Sequence, residues 1–292
     1  MFVVYEILWH FTCVGKVLKR GSSMAGSGQL AIIKRYEKKY LIPPALVPDL
    51  RKYIAPFVIP DKFGMGPLPE YSITTLQLDT PSRSFHYAKE LEYDERFKLR
   101  VRTYNDIGSS PVFAEIKAKY QNNYVKTRVM VPFDSWNEKL IYSTDLPYIF
   151  KNRQQETDFL NFRRLVWETN AEPSNIIRYR RESYVGPGDQ YLRVTFDFKL
   201  EYCSRPTWTN FGKGETWYTM DTGEAQGEAD SCVVLEIKTL EDVPVWVVDM
   251  AERFSLQCRG NCKYSTGLWK DSLYRRDITP RGTIMDSLVW SV

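Results

Sequence analysis

Charged and apolar residues alternate with a period of two in six stretches of this 292-residue chain. Successive side chains of a β-strand point to opposite faces of its sheet, so each stretch predicts a strand with one charged and one apolar face. In residues 97–104, for example, Lys98, Arg100 and Arg102 share one face. The same face of the other stretches carries Arg35, Glu37, Lys39, Glu115, Lys117, Lys119, Lys126, Arg128, Arg193, Asp197, Glu236 and Lys238. Because most of these residues are cations, the pattern predicts a sheet with an anion-binding face.

The spacing of the alternating runs and of the turns predicts the fold class. Alternation flanked by Pro, Gly, Asn or Asp predicts strands at residues 31–41, 71–79, 95–105, 112–121, 124–131, 175–185, 190–201 and 231–239. Apolar residues at helical spacing predict helices at residues 45–53, 157–168 and 245–254. Tight turns at residues 121–123 and 186–189 make the sheet mainly antiparallel. We therefore expect an α+β fold with an eight-stranded sheet, a strand number typical of barrels.

Two interpretations of the charged face remain open at this point. In a closed barrel its side chains line the lumen and the apolar face packs against outer helices, whereas in an open sheet they face solvent. The face carries about ten cations and four carboxylates, and each uncompensated charge that leaves water costs several kcal/mol. A lumen of this composition therefore requires a bound polyanion, and a solvated face does not.

Composition narrows the partners and the compartment. The net charge of +4 argues only weakly for nucleic acid, and the aromatic residues do not interleave with the cations in a stacking arrangement. No nucleic-acid partner is therefore expected. The five cysteines are an odd number without paired CxxC motifs, which favours free thiols in a reducing cytoplasm over a zinc site. They are Cys13, Cys203, Cys232, Cys258 and Cys262.

Residues 1–28 are expected to be a flexible or misassigned leader, and residues 29–292 a single domain. The stretch 21–28 is rich in Gly and Ser and contains Met24, and no later linker or internal repeat divides the chain. Residues 2–14 are largely apolar but shorter than the ~20 residues that a membrane-spanning helix needs. No positively charged region precedes them, as a signal peptide would require. We therefore expect no membrane span and a cytoplasmic location.

Seven short segments follow one another along residues 31–268 in an order that resembles a known family. They are RYEKKYL at 35–41, LDTP at 78–81, KLRVR at 98–102, AEIK at 114–117, YRR at 179–181, RVTFD at 193–197 and LEIK at 235–238. In this order they resemble the VTC domain, the polyphosphate polymerase domain of the vacuolar transporter chaperone family. That family is a branch of the triphosphate tunnel metalloenzymes. Each segment is weakly specific alone, but seven in order form a specific pattern.

The resemblance implies an eight-stranded antiparallel β tunnel barrel with flanking helices, whose basic lumen binds ATP and polyphosphate. The implied enzyme is a polyphosphate polymerase, which transfers the γ-phosphate of ATP to a growing polyphosphate chain with the help of Mn²⁺ or Mg²⁺. The family's eukaryotic polymerases also carry a phosphate-sensing domain and membrane spans that are not recognisable in this sequence, so association with a membrane partner stays open. Residues 203–230 fit no strand of the core and resemble an insertion that could cover a tunnel mouth.

Matching the family's motifs position by position implies a role for individual residues. The residues implied to act on the transferred phosphate are Lys39, Arg100, Arg102, Lys117 and Arg181. The further substrate contacts are Lys126, Arg128, Tyr179, Arg193, Lys238 and Lys263, and the metal-binding carboxylate is Glu236. Arginine forks bind phosphate oxygens bidentately, and hard divalent cations prefer carboxylate and phosphate oxygens, so the chemistry suits these roles. Cys262 stands where the family commonly has Ser, and a thiol is a weaker hydrogen-bond donor to phosphate.

Two other functions remain open. A triphosphatase would use the same tunnel with water as the acceptor. Related hydrolases, however, carry Glu-x-Glu-x-Lys on the first strand, and Arg35 replaces the first Glu here, which weakens metal binding. A non-catalytic module that binds polyphosphate or inositol phosphates would keep the cations without using Glu236. The carboxylates of Glu37, Glu115 and Asp197 can also be ion-pair partners that keep neighbouring cations from repelling one another.

Overall fold

The computed structural model describes residues 36–120, 123–147, 149–188, 191–204, 206–228, 230, 232–240 and 243–275. Its strands are β1 (Tyr36–Ile42), β2 (Ile59–Pro60), β3 (Glu70–Asp79), β4 (Glu95–Tyr104), β5 (Val112–Tyr120), β6 (Asn123–Val131), β7 (Glu172–Val185), β8 (Arg193–Cys203), β9 (Tyr218–Thr219) and β10 (Val233–Thr239). Its α-helices are α1 (Val47–Ile54), α2 (Ser84–Glu90), α3 (Glu138–Tyr142), α4 (Arg153–Thr169), α5 (Gly223–Gln226), α6 (Val245–Arg253) and α7 (Lys263–Arg275). The predicted leader, residues 1–28, lies outside the described residues, as do Cys13 and Arg35.

One antiparallel sheet confirms the predicted eight-stranded arrangement. Its hydrogen-bonded order is β1-β10-β8-β7-β3-β4-β5-β6, and the two-residue strands β2 and β9, which alternation does not predict, add to β7 and β8. Within the described residues no ladder joins β1 to β6, so hydrogen bonds do not close the barrel. The charged face is nevertheless enclosed, since Glu115 on β5 and Asp197 on β8 are fully buried. Burial lowers the pKa of Lys117 on β5, and the charges of Glu37 and Lys39 on β1 also act on it. The fold is therefore α+β and tunnel-like.

Helices cover the apolar face of the sheet. α1 and α6 pack over β1, β8 and β10 in a cluster that includes Leu50, Leu235 and Met250. α4 lies against β5 and β6. It begins at Arg153, earlier than the apolar spacing predicts, because the side chain of Asn152 caps it by accepting a hydrogen bond from the third residue of the helix. Among the helices of the described residues, none is long and apolar enough to cross a membrane.

The prediction that residues 203–230 fit no strand of the core holds except for Cys203, but the segment does form the two-residue strand β9. β8 extends to Cys203, and β9 pairs with Glu201 and Tyr202 of β8. Just after β9, Met220 is fully buried among apolar side chains of the interior face. The anchoring residues of this segment are scattered rather than periodic, so its polar composition conceals them. The segment contributes to the interior of the fold instead of lying wholly outside it.

Candidate active site

The interior face of β4, β5 and β6 converges on one buried carboxylate. The strand register sets Glu115 opposite Arg100 on β4 and opposite Arg128 on β6. Its oxygens lie 2.6 Å from Nε of Arg100, 3.0 Å from Nζ of Lys126 and 3.4 Å from Nε of Arg128. Burial alone would raise the pKa of Glu115, but Arg100, Arg102 and Lys126 lower it to about 2. Glu115 is therefore ionised at neutral pH and holds these cations together in what we call the Glu115 cluster.

A second group, the Asp197 cluster, joins β7, β8 and the start of α7. The guanidinium of Arg181 donates two hydrogen bonds to the carboxylate of Asp197, at 2.6 and 2.8 Å, and Nζ of Lys263 lies 2.8 Å from Oδ2. The ring centroid of Tyr179 lies 5.3 Å from Cζ of Arg181 and 4.8 Å from Nζ of Lys263. Burial alone would raise the pKa of Asp197, but Arg181 and Lys263 lower it. The fully buried carboxylate is thus kept ionised by two cations.

A third group of charges lies on β1 and β10. The register pairs Lys39 with Glu236 and Glu37 with Lys238. Nζ of Lys39 lies 2.8 Å from Oε1 of Glu37, and Nζ of Lys238 lies 3.9 Å from Oε2 of the same residue. Lys238 also forms an ion pair with Glu236. Oε2 of Glu236 lies 3.7 Å from Nη2 of Arg181, which connects this group to the Asp197 cluster.

Arg193 is paired with a carboxylate that the sequence analysis missed. Its Nη2 lies 3.4 Å from Oδ2 of Asp61, a buried residue that also accepts a hydrogen bond from Oγ of Ser183 at 3.0 Å. Asp61 follows the two-residue strand β2 and belongs to no alternating stretch. Spacing along the chain therefore gave no signal for it.

Besides Lys98, which contacts Cys262, two interior cations have no carboxylate ion pair within the described part of the chain. Nε of Arg102 donates a hydrogen bond to Oγ1 of Thr75 at 3.2 Å, and Nζ of Lys117 lies 5.6 Å from the ring centroid of Tyr124. Neither cation therefore has a carboxylate in direct contact, although the charge of Glu115 acts on Arg102 and that of Glu37 on Lys117. An anion from solution would contact both cations without displacing a carboxylate from them.

Cys262, which stands where the family commonly has Ser, contacts Lys98. Its Sγ accepts a hydrogen bond from Nζ of Lys98 at 3.2 Å. Burial alone would raise the pKa of the thiol, but Lys98 and hydrogen bonds from Ser265 lower it to about 7. The thiol is therefore partly ionised at neutral pH and offsets the charge of Lys98. The sequence predicted that Lys98 lies on the charged face. Its contact with Cys262 was not predictable, because the two residues are 164 positions apart along the chain.

The residues beside Glu236 fit a divalent cation. Thr195 lies opposite Glu236 on β8, and its hydroxyl oxygen is buried without a hydrogen-bond partner among the described residues. A carboxylate and a hydroxyl are oxygen donors, which Mg²⁺ and Mn²⁺ prefer. The described residues contain no group of three or more His, Cys, Asp or Glu side chains that could hold a metal. Most ligands of an ion at Glu236 would therefore be phosphate oxygens and water.

Comparison with known proteins identifies the family. The model of the VTC domain matches residues 34–270 of this 292-residue chain. The chain belongs to the VTC domain family. Among curated proteins, none matches the VTC chain significantly. The crystal structure of a candidate adenylate cyclase from Vibrio parahaemolyticus is similar to this chain, with 11% sequence identity and a TM-score of 0.38. The match covers 82% of this chain and 98% of that chain. A similarity this distant indicates neither fold nor function, so the family assignment rests on the match to the VTC domain.

The VTC domain brings the implied site residues to one interior face, where their exposure differs. The side chains of Arg181, Lys263 and Arg100 are 11%, 15% and 22% exposed. The more exposed cations, at 38% to 45%, are Arg128, Arg193, Lys238 and Lys126. An anion that enters from solvent would contact the more exposed cations before the more buried ones. The catalytic and binding roles of these residues stay predictions.

The affinity of this face for a polyanion is expected to fall as the pH rises from 7 to 9. Burial has the largest influence on the pKa of Lys126 and lowers it to about 8, although Glu115 acts in the opposite direction. A bound polyanion raises this pKa, so binding takes up a proton above pH 8 and the affinity weakens by up to about tenfold per pH unit. Isothermal titration with inorganic tripolyphosphate between pH 6.5 and 9 measures the effect. Lys126→Arg should flatten the profile, and an equally steep profile in that variant would contradict the assignment.

Proposed function

We propose that this VTC domain is a metal-dependent polyphosphate polymerase that transfers the γ-phosphate of ATP to a growing polyphosphate chain. The observation that carries the proposal is the excess of cations on an interior face whose carboxylates are already ion-paired. Arg102 and Lys117 in particular lack such a partner in the described residues. A chain of phosphates offers charge along the whole face, whereas a small anion would compensate only one or two cations.

The chemistry of phosphoryl transfer suits a face of this kind. The reaction requires positioning and charge neutralisation at the transferring group rather than a covalent nucleophile. Arg100 and Arg102 lie two residues apart on β4 and therefore on the same face, where they would hold the phosphates of ATP and the end of the acceptor chain. Arg181 and Lys263 would orient the substrate from the Asp197 cluster. Mn²⁺ or Mg²⁺ held by Glu236 would neutralise charge on the phosphate oxygens.

The full-length protein is expected to produce a ladder on a polyphosphate gel when it is incubated with ATP and Mn²⁺. Glu236→Gln keeps the shape of the side chain but removes its charge, so we expect ladder formation to slow by about 100-fold. The matched control is Glu201→Gln, whose carboxylate pairs with Arg178 on the face of β7 opposite to Tyr179. The control should keep the wild-type rate. Loss of the ladder in both variants would contradict a specific role for Glu236.

A triphosphatase is the second candidate, because a second carboxylate lies near Glu236. Burial and the negative charge of Glu236 both raise the pKa of Glu37, while Lys238 and Lys39 lower it below its usual value. Two neighbouring carboxylates favour a metal ion that also binds water. Free phosphate without a ladder in the same assay would support hydrolysis. Binding of tripolyphosphate without turnover, unchanged in Glu236→Gln, would instead support a binding module.

The partners and the compartment are part of the same proposal. We propose ATP and polyphosphate as the ligands and the cytoplasm as the location, where ATP is abundant and thiols stay reduced. The cysteines within the described residues carry no disulfide, in keeping with such a compartment; they are Cys203, Cys232, Cys258 and Cys262. Association with a membrane partner stays an open part of the proposal.

A further inference from the structure

The first residues of α7 are held by several separate elements of the fold. Cys262 precedes the helix and accepts a hydrogen bond from Lys98 of β4. Lys263 is the first helical residue and reaches the Asp197 cluster on the interior face. Oγ of Ser265 lies 3.1 Å from Nδ1 of His86 on α2. The residue between them, Tyr264, makes the most deeply buried of these contacts, to Asp79 at the end of β3.

The hydroxyl of Tyr264 is bound to two polar groups in the core. It donates a hydrogen bond to Oδ2 of Asp79 at 2.7 Å, and Oγ of Ser174 lies 2.8 Å from the hydroxyl oxygen of Tyr264. Tyr264 and Asp79 are 4% and 1% exposed. Burial is the main reason why the pKa of Tyr264 is raised, and the charge of Asp79 raises it further, so the phenol is a hydrogen-bond donor at neutral pH.

Asp79 is a rigid acceptor for this hydroxyl. Its Oδ1 accepts hydrogen bonds from the backbone N–H groups of Thr80 and Phe85, at 2.8 and 2.9 Å. Its Oδ2 accepts a further one from the backbone N–H of His86 at 3.0 Å. The carboxylate is therefore fixed by the end of β3 and the start of α2, independently of α7. A hydroxyl bound to it gives the first turn of α7 one defined position.

The position of that turn decides where the Lys263 ammonium lies. A lysine side chain has four rotatable bonds, so its ammonium stays beside Asp197 and Tyr179 only if its backbone is held in place. The chain just before α7 is also tied to β1, because the N–H of Arg259 donates to the carbonyl of Lys39 at 2.9 Å. In the first turn of α7, the Tyr264 hydroxyl adds a hydrogen bond to a carboxylate that does not depend on the Lys263 ammonium.

We propose that Tyr264, through Asp79, is a positioning residue that holds Lys263 where it binds a phosphate group of the substrate. The inference rests on the proposed function only in assuming that the interior face binds a phosphate chain. It does not require polymerase activity. Tyr264 itself touches no substrate in this arrangement, so its effect must pass through Lys263.

A double-mutant cycle tests this coupling by isothermal titration of the full-length protein with inorganic tripolyphosphate at pH 7. We expect Lys263→Met to weaken binding by about 20-fold and Tyr264→Phe by about fivefold. The double variant should bind no more weakly than Lys263→Met, because the hydroxyl acts only through the ammonium. The matched control is Tyr53→Phe, which removes a tyrosine hydrogen bond to Asp249 between α1 and α6. Its tripolyphosphate affinity should equal that of the wild type.

The outcomes separate the two proposals. Additive losses in the double variant, or unchanged affinity in Tyr264→Phe with only a lower melting temperature, would overturn the positioning role and leave the phosphate-binding face intact. Absence of tripolyphosphate binding in the wild type would overturn both. Tyr264→Phe removes a single oxygen, and its near-ultraviolet circular dichroism should match the wild type. Ser174→Ala is a second variant, since it removes the other partner of the hydroxyl and should weaken binding less than Tyr264→Phe does.

Discussion

Replacing Arg181 with methionine is expected to lower the free energy of unfolding of the VTC domain by about 3–5 kcal/mol. Asp197 is fully buried, and Arg181 supplies two of its hydrogen bonds. Methionine fills a similar volume but leaves the carboxylate with Lys263 as its remaining cationic partner within the described residues. An ionised carboxylate that is only partly compensated in the interior destabilises the folded state far more than the lost contact area does.

Urea unfolding at pH 7, followed by circular dichroism, measures the change. The matched control is Arg180→Met, because Arg180 is the neighbouring residue, is half exposed and pairs with Glu70 on the opposite face of β7. The control should lose no more than about 1 kcal/mol. Arg181→Met/Asp197→Leu should recover much of the loss, since it removes the buried charge as well. Equal losses of unfolding free energy in Arg180→Met and Arg181→Met would show that the interior ion pair stabilises the fold no more than the exposed one.

The contribution of the Arg181–Asp197 ion pair to stability is expected to decrease as the pH falls. Arg181 and Lys263 lower the pKa of Asp197 in the folded state, against the effect of burial. A carboxyl group with a lowered pKa contributes stability above its unfolded pKa and loses that contribution as the pH falls through the folded value. The stability difference between the wild type and Arg181→Met should therefore narrow as the pH is lowered below about 4.

The charged face was predictable because its signal is local. A period of two places Lys98, Arg100 and Arg102 on one side of a strand whatever the rest of the chain does. The same reasoning could not decide between a lumen and a solvated face. That choice depends on how far the sheet curls, and the electrostatic influence of Glu37 on β1 over Lys117 on β5 follows from the fold and not from any spacing along the chain.

The parts of the site that the sequence did not predict depend on contacts between distant positions. Tyr264 and Asp79 are 185 residues apart, so no local pattern pairs them. α7 itself carries buried polar and small residues, including Lys270 and Gly267, so its apolar pattern is weak. Lys270 is buried, and its Nζ lies 2.8 Å from Oε2 of Glu224, a partner supplied by the segment between β8 and β10. Such pairs become visible only when the fold brings them together.

Glu115→Gln is expected to destabilise the ligand-free domain by about 3–5 kcal/mol and to strengthen its binding of a polyanion. The substitution leaves Arg100, Lys126 and Arg128 facing one another without the carboxylate that separates their charges. Repulsion among them then opposes folding. An incoming phosphate chain no longer meets the negative charge of Glu115, so tripolyphosphate affinity should rise by about tenfold.

Thermal unfolding at pH 6.5, with and without tripolyphosphate, tests both parts. At this pH Lys126, whose pKa burial lowers to about 8, is protonated in the wild type. The melting temperature of Glu115→Gln should lie well below that of the wild type without ligand and should rise more when tripolyphosphate is added. Glu201→Gln, with its ion pair to Arg178 on the other face of β7, should show the wild-type rise. If the rise in Glu115→Gln were equal to the wild-type rise, Glu115 would be a structural ion-pair partner only. A larger rise in melting temperature would mean that Glu115 and the polyanion compensate the same cations. Glu115 would then be a carboxylate that neutralises the phosphate-binding cations in the absence of ligand.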